Sequence, residues 1–503
     1  MSTTTTRPSR PATASDFIPD GDANGSSKKP INLLRGWPAP SLLPAAQLRA
    51  AANQVLADPV VAVPMLQYAI DPGFQPLRDE LARWLGEVYP VYGNSAFTAD
   101  EIAITGGASQ GLACLLQSFT DPVYTRAVWV VAPCYFMACP IFEDAGFRGK
   151  LRAVPEDEGG IDLGALERGL KEEGGKEMET PPPPALKHPY PSRKLYRHVI
   201  YLVATCANPS GKTLSLPRRE ALVHLARKYD ALIISDDVYD FLQWSVTPVT
   251  SSSSSSSTPT PLPLPSGTPL PLLSQIDNLL PPSPHNPPGK NFGHAVSNAS
   301  FSKLVGPGTR TGWIHATADF AWGFSQTGSN RSGGAASQFA AAVIWRVLRD
   351  GALEGWVKGV VRPALRRRHV LMLREVRSVL EPLGVGVWRG REAGGVAEEE
   401  VYGGYFVWLT LPEGVDASVA AERARREEAL VVAPGKLFEV VGDEDSARFP
   451  RNVRLSFSWV DEDEIVEGVR RFGAVIKRML EEGGGEWRIN TGTADEDSVA
   501  EFK

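Results

Sequence analysis

The sequence predicts an α/β fold built on a mainly parallel central sheet that is flanked by helices. One observation is a set of short runs that are apolar at nearly every position, which is typical of strands buried on both faces. The runs lie at 102–105, 128–132, 199–204, 231–235 and 311–316. A second observation is that amphipathic helical patterns lie between them. Strands that alternate with helices along a chain are typical of a parallel sheet.

The clearest helical pattern covers residues 217–230. Four apolar residues recur there at helical spacing and fall on one face: Leu222, Leu225, Ala226 and Tyr229. Ser215 precedes Pro217, and serine at this position often caps the first turn of a helix. The pattern therefore predicts a helix that begins near Pro217 and packs one face against the sheet.

Four segments have the composition of unstructured chain. They are residues 1–28, about 174–195, about 245–292 and 482–503. The third contains seven consecutive serines and then repeated Pro-Leu and Pro-Pro steps. Such a segment buries too little apolar surface to offset the entropy lost on ordering it. We therefore expect the two middle segments to be inserts and the two outer ones to be disordered tails.

Composition argues against several classes of function. The 503 residues carry a formal net charge of −6, which gives no electrostatic basis for binding nucleic acid or an anionic membrane. The four cysteines form no C-x-x-C pair and have no histidine cluster beside them, so neither a disulfide framework nor a zinc site is expected. No stretch approaches the ~20 apolar residues that a membrane helix needs.

The N-terminal residues predict a cytoplasmic protein. They contain no apolar segment of the kind found in a secretory signal. They are rich in serine and threonine with two arginines, as in some organellar transit peptides, but Asp16, Asp20 and Asp22 argue against that interpretation. A reducing compartment also suits cysteines that are expected to be unpaired.

Residue types that carry chemistry stand just after the predicted strands. In parallel sheets, ligands bind beyond the carboxyl ends of the strands. The glycine-rich turn at 106–112 opens a helix and is typical of a phosphate site, although a turn without a ligand is equally consistent. Tyr135 either stacks on a planar ring or packs in the core. Asn208 begins an Asn-Pro turn and also carries an amide donor for a ligand.

Charged residues follow two further strands. Asp236 and Asp237 follow a buried strand, where a carboxylate is unfavourable unless it has a partner. Either a cationic nitrogen of a ligand or a role as the N-cap of a helix would explain a carboxylate at this place. Residues 300–313 read SFSKLVGPGTRTGW. This motif places Lys303 and Arg310 beside one strand end, an arrangement that a phosphate between them explains. The alternative is a solvated surface lysine.

These segments, in this order, resemble the class I and II aminotransferases, which are pyridoxal-phosphate enzymes of fold type I. The most specific motif is S-x-S-K-x-x-x-P-G-x-R-x-G-W at 300–313, and the resemblance runs from about Ile31 to about Phe472. Other matching positions are Gly36-Trp37-Pro38, Leu66-Gln67-Tyr68, Gly73, Leu77-Arg78, Gly403-Gly404-Tyr405-Phe406, Pro434-Gly435 and Arg454. Within the family the chain looks most like the branch of 2-aminoadipate, kynurenine and aromatic aminotransferases.

The resemblance implies pyridoxal 5'-phosphate as cofactor and assigns three catalytic residues. Lys303 holds the cofactor as a Schiff base and then serves as the general base for the substrate α-proton. Asp236 pairs with the protonated pyridine nitrogen, which keeps the ring an electron sink. Tyr239 hydrogen-bonds the phenolic oxygen of the ring.

Further contacts with cofactor and substrate follow from the same resemblance. Tyr135 stacks on the ring, and Asn208 assists Tyr239. The phosphate is held by Ser300, Arg310, the backbone amides of Ala108 and Ser109, and Tyr68 of the neighbouring subunit. The family often has larger polar residues where Ala108 and Ser109 stand, so these contacts are expected to be mainly through backbone. Substrate-binding residues are Gly36, Asn208 and Arg454, with Arg454 binding the α-carboxylate.

The resemblance also divides the chain into domains. It implies an N-terminal arm at 29–62, a large cofactor-binding domain at 63–330 that contains both inserts, and a small α+β domain at 331–481. It implies an isologous homodimer, because Tyr68 would complete the neighbouring site. The substrates would be an L-amino acid and a 2-oxo acid, which exchange an amino group by ping-pong kinetics.

Two alternatives remain open from the sequence. A lyase, synthase or decarboxylase of the same fold uses the same cofactor residues, because the bond that breaks depends on how the substrate lies. A non-catalytic regulator with this domain behind a helix-turn-helix motif is disfavoured, since no room for that motif precedes the first matching segment and Lys303, Asp236 and Arg310 are all present. The sequence leaves open the donor specificity and the role of the 245–292 insert, which could cover the site entrance.

Overall fold

The structure, a computed structural model, describes residues 28–89, 92–93, 96–175, 185–188, 191–246, 269–334, 336–388, 391–392 and 400–482. The two predicted tails lie almost wholly outside these ranges, as do residues 176–184 and 247–268 of the predicted inserts. The inner ends of both tails contact the folded chain. Lys28 forms an ion pair with Glu428, and Glu482 forms one with Arg423.

Strands and helices alternate along the first two thirds of the chain. The strands in the described residues are β1 (Ile31–Asn32), β2 (Ile102–Thr105), β3 (Ala127–Ala132), β4 (Leu151–Asp157), β5 (Gly160–Ile161), β6 (His198–Leu202), β7 (Ala231–Asp236), β8 (Gln243–Val246), β9 (Ala295–Ser300), β10 (Gly312–His315), β11 (Gly386–Val387), β12 (Arg391–Glu392), β13 (Glu400–Gly403), β14 (Phe406–Thr410), β15 (Leu430–Val431), β16 (Ala433–Pro434) and β17 (Asn452–Ser456). The α-helices are α1 (Ala45–Ala57), α2 (Pro59–Met65), α3 (Gln75–Val88), α4 (Ala108–Phe119), α5 (Ala138–Phe142), α6 (Leu163–Gly175), α7 (Leu216–Lys228), α8 (Leu273–Asn278), α9 (Ala318–Ser325), α10 (Gly328–Arg331), α11 (Gln338–Arg349), α12 (Ala352–Trp356), α13 (Arg362–Glu375), α14 (Ala417–Glu428) and α15 (Glu462–Glu481).

Eight strands form the central sheet in the order β2-β10-β9-β7-β6-β3-β4-β5. The pairs among β9, β7, β6, β3 and β4 are parallel, whereas β10 is antiparallel to both of its neighbours and β5 to β4. Alternate residues of β3 enter different apolar clusters: Val128 and Val130 pack with helix α4, and Trp129 and Val131 pack with α6 and α7. All five predicted runs are strands of this buried sheet, which confirms the α/β fold.

Strand β9 was not among the predicted runs, because three of its six residues are polar. Ser297, Asn298 and Ser300 are nevertheless buried. Burial is tolerated where such groups find partners: the Asn298 side-chain amide donates to the Ala108 carbonyl at 2.8 Å, and the Ser300 hydroxyl donates to Ser302 Oγ at 2.8 Å. The polar strand therefore ties the sheet to the start of α4.

The predicted helix near Pro217 is α7. Leu222 and Ala226 are buried against the sheet, as the pattern predicts. Ser215 occupies the N-cap position, but its side chain forms no capping hydrogen bond. Pro217 lies in the first turn of the helix, where the absence of a backbone N–H leaves one donor fewer that needs a partner.

The prediction that 245–292 is an unstructured insert is wrong for its described ends. Strand β8 extends to residue 246 and pairs with β13. Helix α8 buries Leu273 and Ile276. The Asp277 carboxylate accepts from the backbone N–H groups of His294 and Ala295 beside β9. The prolines lie on both sides of α8 and not within it. The proline-rich composition of the segment therefore gave no indication of a buried helix.

The other predicted insert, 174–195, is also partly ordered. Helix α6 extends to residue 175. Lys194 is buried and forms an ion pair with Asp230 at 2.5 Å. The Lys187 ammonium donates to the carbonyls of Leu116, Gln117 and Thr120 at the end of α4. Residues 185–188 and 191–195 therefore belong to the folded body.

A smaller sheet, β11-β14-β17-β16, packs against α14 through β16, and α15 packs against α14 and β15. The N-terminal strand β1 pairs in parallel with β15. Residues 33–38, called the N-terminal strap below, then run beside the end of β17, because the Leu33 carbonyl accepts from the Ser456 N–H at 2.7 Å. None of the described helices is both long enough and apolar enough to cross a membrane.

Candidate active site

One cavity collects nearly all of the predicted site residues at the carboxyl ends of β7 and β9. It has a volume of about 360 Å³, and the N-terminal strap lines one side. Eleven of the twelve predicted residues line it: Gly36, Ala108, Ser109, Tyr135, Asn208, Asp236, Tyr239, Ser300, Lys303, Arg310 and Arg454. Tyr68 does not, and its side chain is 86% exposed.

Lys303 lies in a short 3₁₀ turn, Phe301–Lys303, that directly follows β9. Its Nζ donates to the Gly36 carbonyl at 2.8 Å and lies 5.0 Å from the ring centroid of Tyr405. Burial lowers the pKa of Lys303 to about 8, and the nearby Arg454 charge acts in the same direction. A larger fraction of the Lys303 amine is therefore unprotonated at neutral pH than in an ordinary lysine. An unprotonated amine can act as a nucleophile or as a base.

Asp236 is the last residue of β7 and is 7% exposed. Its Oδ2 accepts from the Tyr201 hydroxyl at 2.9 Å, while Oδ1 is buried with no hydrogen-bond partner among the described residues. Burial raises the pKa of Asp236 to about 6, although Tyr201 and Lys303 both oppose the rise. An unsatisfied buried carboxylate oxygen is unfavourable, and a cationic donor from a ligand would satisfy it.

The neighbouring Asp237 is placed differently. It does not line the cavity, and its Oδ1 accepts from the Ser235 hydroxyl at 2.5 Å. Burial, together with the charge of Asp240, raises the pKa of Asp237 well above its ordinary value. The predicted choice of Asp236 over Asp237 as the residue at the cavity therefore agrees with the geometry.

An anion cradle lies where β2 leads into α4. Gly107 precedes the helix with φ 97°, and a Cβ there would lie 3.0 Å from Arg310 Nη2 and 3.5 Å from Ser300 Oγ. The first N–H groups of α4, at Ala108 and Ser109, have no acceptor within the helix. The free amides at the N-terminus of α4 and the guanidinium of Arg310 therefore lie close together, and such a group of donors and positive charge suits a phosphate. Arg310 is steadied by donating to the Gly106 carbonyl at 2.9 Å.

Arg454 lies on β17 and also lines the cavity. Its Nη1 donates to Asn208 Oδ1 at 2.8 Å, and its Nη2 donates to the Leu34 carbonyl at 2.5 Å. Its Nε is buried with no acceptor among the described residues. Burial lowers the pKa of Arg454 to about 10, so that it stays charged at neutral pH. A carboxylate is the ligand group that such a guanidinium binds best.

Two tyrosines stay protonated in the cavity. Burial and the Asp236 charge raise the pKa of Tyr135 to about 12. Burial raises the pKa of Tyr239 well above its ordinary value, and its ring meets that of Tyr405 edge-on at 5.5 Å. Both hydroxyls are therefore donors, and Tyr239 has the protonation state that its predicted contact with a ring oxygen needs.

Sequence reasoning missed several residues of the cavity. Tyr201 does not line the cavity but donates to Asp236, and it lies inside an apolar run where no periodicity distinguishes it. Further lining residues include Arg35, Trp37, Phe136, Met137 and Phe406. Trp37 and Phe406 belong to segments that match the family in sequence, Gly36-Trp37-Pro38 and Gly403-Gly404-Tyr405-Phe406. The sequence therefore indicated both residues but assigned neither of them a role.

The residues present fit pyridoxal phosphate. The unsatisfied Asp236 oxygen suits a protonated ring nitrogen. The Gly107 cradle has room for a phosphate only because no Cβ fills it. Lys303, with its lowered pKa, suits the aldehyde. The cavity thus offers one partner for each polar group of the cofactor.

Residues 51–472 match the family described as aminotransferase class I and II. The chain belongs to this family and is a pyridoxal-phosphate-dependent aminotransferase of fold type I. The predicted family, cofactor and class of reaction are confirmed.

Relatives cover nearly the whole chain. An uncharacterized protein of Saccharomyces cerevisiae is 33% identical over 464 residues, or 89% of this chain and 97% of that protein. Aromatic-amino-acid aminotransferase 1 of Thermococcus litoralis is 26% identical over 452 residues, or 90% of this chain and 88% of that protein. The crystal structure of Pyrococcus horikoshii kynurenine aminotransferase, in complex with PMP, shares 26% identity, has a TM-score of 0.68, and covers 90% of this chain and 92% of that one.

Proposed function

We propose that this aminotransferase exchanges an amino group between a large L-amino acid and a 2-oxo acid by ping-pong kinetics, with 2-aminoadipate, kynurenine or an aromatic amino acid as donor. The observation that carries the proposal is that Lys303, Asp236 and Arg454 line a single cavity. Lys303 suits covalent capture of the cofactor, Asp236 suits a cationic ring nitrogen, and Arg454 suits the carboxylate of an amino acid.

Each side chain then has a task in the reaction. Bound pyridoxal phosphate supplies an aldehyde that captures the substrate amine and a ring that withdraws electrons from Cα. Asp236 keeps a proton on the ring nitrogen by its negative charge. Arg454 orients the substrate through its α-carboxylate, for which its Nε is available. Lys303 Nζ accepts the proton from Cα, and its pKa of about 8 in the free protein lies close to the working range of a general base.

The preference for large donors is supported by the cavity wall. Trp37, Phe136 and Phe406 give it aromatic surface, which suits planar or long apolar side chains. The names of two similar proteins also support large donors, because one is an aromatic-amino-acid aminotransferase and the other is a kynurenine aminotransferase.

The protein works as a C2 homodimer in this proposal. Helix α2 and the chain after it expose five large apolar or aromatic side chains, each more than half exposed: Val60, Val63, Leu66, Tyr68 and Ile70. Contiguous apolar surface of this kind is typical of a protein interface. Burial of this surface against a second copy would place Tyr68 at the neighbouring cavity, where it would reach the phosphate.

A cytoplasmic location is part of the same proposal. All four cysteines are buried free thiols, which a reducing compartment maintains.

Single-turnover spectroscopy tests the proposed reaction. The loaded protein is mixed with one amino acid at a time and no 2-oxo acid acceptor. A transaminase converts one cofactor per site to its amine form and releases one equivalent of 2-oxo acid. Lys303→Ala should fail in this assay, and Lys358→Ala, at an exposed position on the continuation of α12, should not. Continuous product formation without an acceptor would instead identify a lyase or a decarboxylase.

A further inference from the structure

Tyr201 is a buried tyrosine whose hydroxyl has a single partner. It lies in β6, is 2% exposed, and donates to Asp236 Oδ2 at 2.9 Å. Among the described residues, Asp236 is the only hydrogen-bond partner of this hydroxyl. The Tyr201 ring packs in an apolar cluster with Ile234 and with Phe142, which it meets edge-on at 5.4 Å between centroids. The polar group of this side chain is therefore directed at the carboxylate that pairs with the ring nitrogen in the proposed function.

The register of the sheet explains how Tyr201 reaches Asp236. Strands β6 and β7 are parallel neighbours, and Tyr201 is paired with Ile234. Alternate residues of a strand face the same side of a sheet, so Asp236 shares that side with Ile234 and lies diagonally ahead of Tyr201. A diagonal neighbour is within reach of an aromatic side chain. Tyr201 thus contacts Asp236 from outside the cavity, which Asp236 lines and Tyr201 does not.

The two oxygens of the Asp236 carboxylate have different surroundings. Oδ2 accepts the hydrogen bond from Tyr201, whereas Oδ1 is buried with no hydrogen-bond partner among the described residues. A hydrogen bond at one oxygen restricts rotation of the carboxylate about its Cβ–Cγ bond. The bond from Tyr201 therefore fixes the orientation of Asp236 while it leaves the other oxygen available for a ligand.

The donor at Asp236 is neutral, and this affects the charge of the site. Tyr201 and the Lys303 ammonium both lower the pKa of Asp236 against the effect of burial. Tyr135 and Tyr239 also lie near Asp236 and stay protonated, because burial raises the pKa of both. Burial and the Asp236 charge likewise raise the pKa of Tyr201 well above its ordinary value. Since a phenol stabilises a carboxylate without adding a positive charge, the negative charge of Asp236 remains for a cationic ligand.

We propose that Tyr201 is a positioning residue that orients Asp236 and keeps it ionised, so that the proton between Asp236 and the pyridine nitrogen of the cofactor stays on the nitrogen. A carboxylate without this donor has a higher proton affinity and takes up more of that proton. The ring then withdraws electrons less strongly from the substrate. This inference rests on the pairing of Asp236 with the ring nitrogen in the proposed function.

Unfolding of the cofactor-free protein tests the effect of Tyr201 on Asp236 without turnover. The free energy of unfolding is compared between Asp236 and Asp236→Asn across pH, first with Tyr201 present and then with Tyr201→Phe. With Tyr201 present, the difference should rise with pH and level off near the Asp236 pKa of about 6. Loss of a hydrogen bond to a charged group should move this levelling point up by about one to two pH units. Phenylalanine keeps the ring in contact with Phe142.

Tyr196→Phe is the matched control. This tyrosine is also fully buried, and its hydroxyl donates to the Gly293 carbonyl at 2.7 Å, just before the opposite end of β6. Tyr196→Phe should lower the free energy of unfolding without moving the levelling point. If Tyr201→Phe likewise leaves the levelling point in place, its hydroxyl has only a structural role and the proposal is overturned.

Nitrogen NMR of protein loaded with isotope-labelled cofactor reports on the ring itself. The pyridine resonance should move towards that of the unprotonated ring in Tyr201→Phe and should stay in place in Tyr196→Phe. An unmoved resonance in Tyr201→Phe would contradict the proposal. The two failures are distinguishable: if Asp236→Asn leaves the ring nitrogen fully protonated, the pairing in the proposed function fails, and if only Tyr201→Phe has no effect, the role of Tyr201 alone fails.

Discussion

Replacing Asp236 by asparagine should stabilise the cofactor-free protein at neutral pH but not at acidic pH. Burial raises the pKa of Asp236 to about 6 from an ordinary value of 3.8. A carboxyl group with a raised pKa destabilises the fold at every pH above that pKa, and it has no such effect below the ordinary value, where it is protonated in both states. A rise of about two pH units corresponds to about 3 kcal/mol of unfolding free energy.

The wild-type protein should therefore lose stability relative to Asp236→Asn as the pH rises from 4 to 6, and the difference should level off above pH 6. Asparagine has nearly the same shape, and its amide oxygen can still accept from Tyr201. The assay is urea unfolding of cofactor-free protein at several pH values, with Asp100→Asn as a control because that side chain is 87% exposed.

Cofactor should reverse the order of stability, because Asp236 then gains a cationic partner and asparagine does not. A stability difference that is independent of pH, or a gain confined to acidic pH, would show that Asp236 is not a buried carboxylate held at an unfavourable charge.

Three further perturbations test other parts of the account. The rate of pyridoxal-phosphate uptake by cofactor-free protein should rise with pH through about 8 and then level off, because Lys303 Nζ must be unprotonated to react; a flat profile would contradict this. Gly107→Ala should weaken cofactor binding at least about 10-fold, since φ is 97° and the added Cβ meets Arg310, whereas Gly308→Ala, which meets nothing within 4 Å, should bind normally in the same titration. Ile276→Ala should lower the free energy of unfolding by about 2–5 kcal/mol, and no change would restore the view of 269–292 as a passive insert.

The parts of this fold that sequence patterns predict are those with a local signal. Five strands are apolar at nearly every position, so their burial can be predicted from any short window of the sequence. Lys303 and Arg310 are found because one motif of 14 residues carries both, with the glycines that turn the chain between them. Asp236 is found because a charged residue directly after a buried strand requires an explanation.

The remaining features depend on contacts between distant segments. Strand β9 is polar, and only its pairing with β7 and β10 and its bond to Ala108 make it a buried strand. Helix α8 is short and lies next to proline-rich chain, so its burial against α7 has no local signature. Tyr201 gains its importance from its hydrogen bond to Asp236, which lies on the neighbouring strand 35 positions later in the sequence.

Borohydride reduction of the cofactor-loaded protein tests the central claim most directly. Reduction makes the bond between the cofactor and its lysine permanent, so that proteolysis and mass spectrometry identify the residue. The account predicts one pyridoxyl group per chain, attached to Lys303, and none on Lys303→Ala. Attachment to a different lysine, or a loaded protein that yields no reduced adduct, would contradict it.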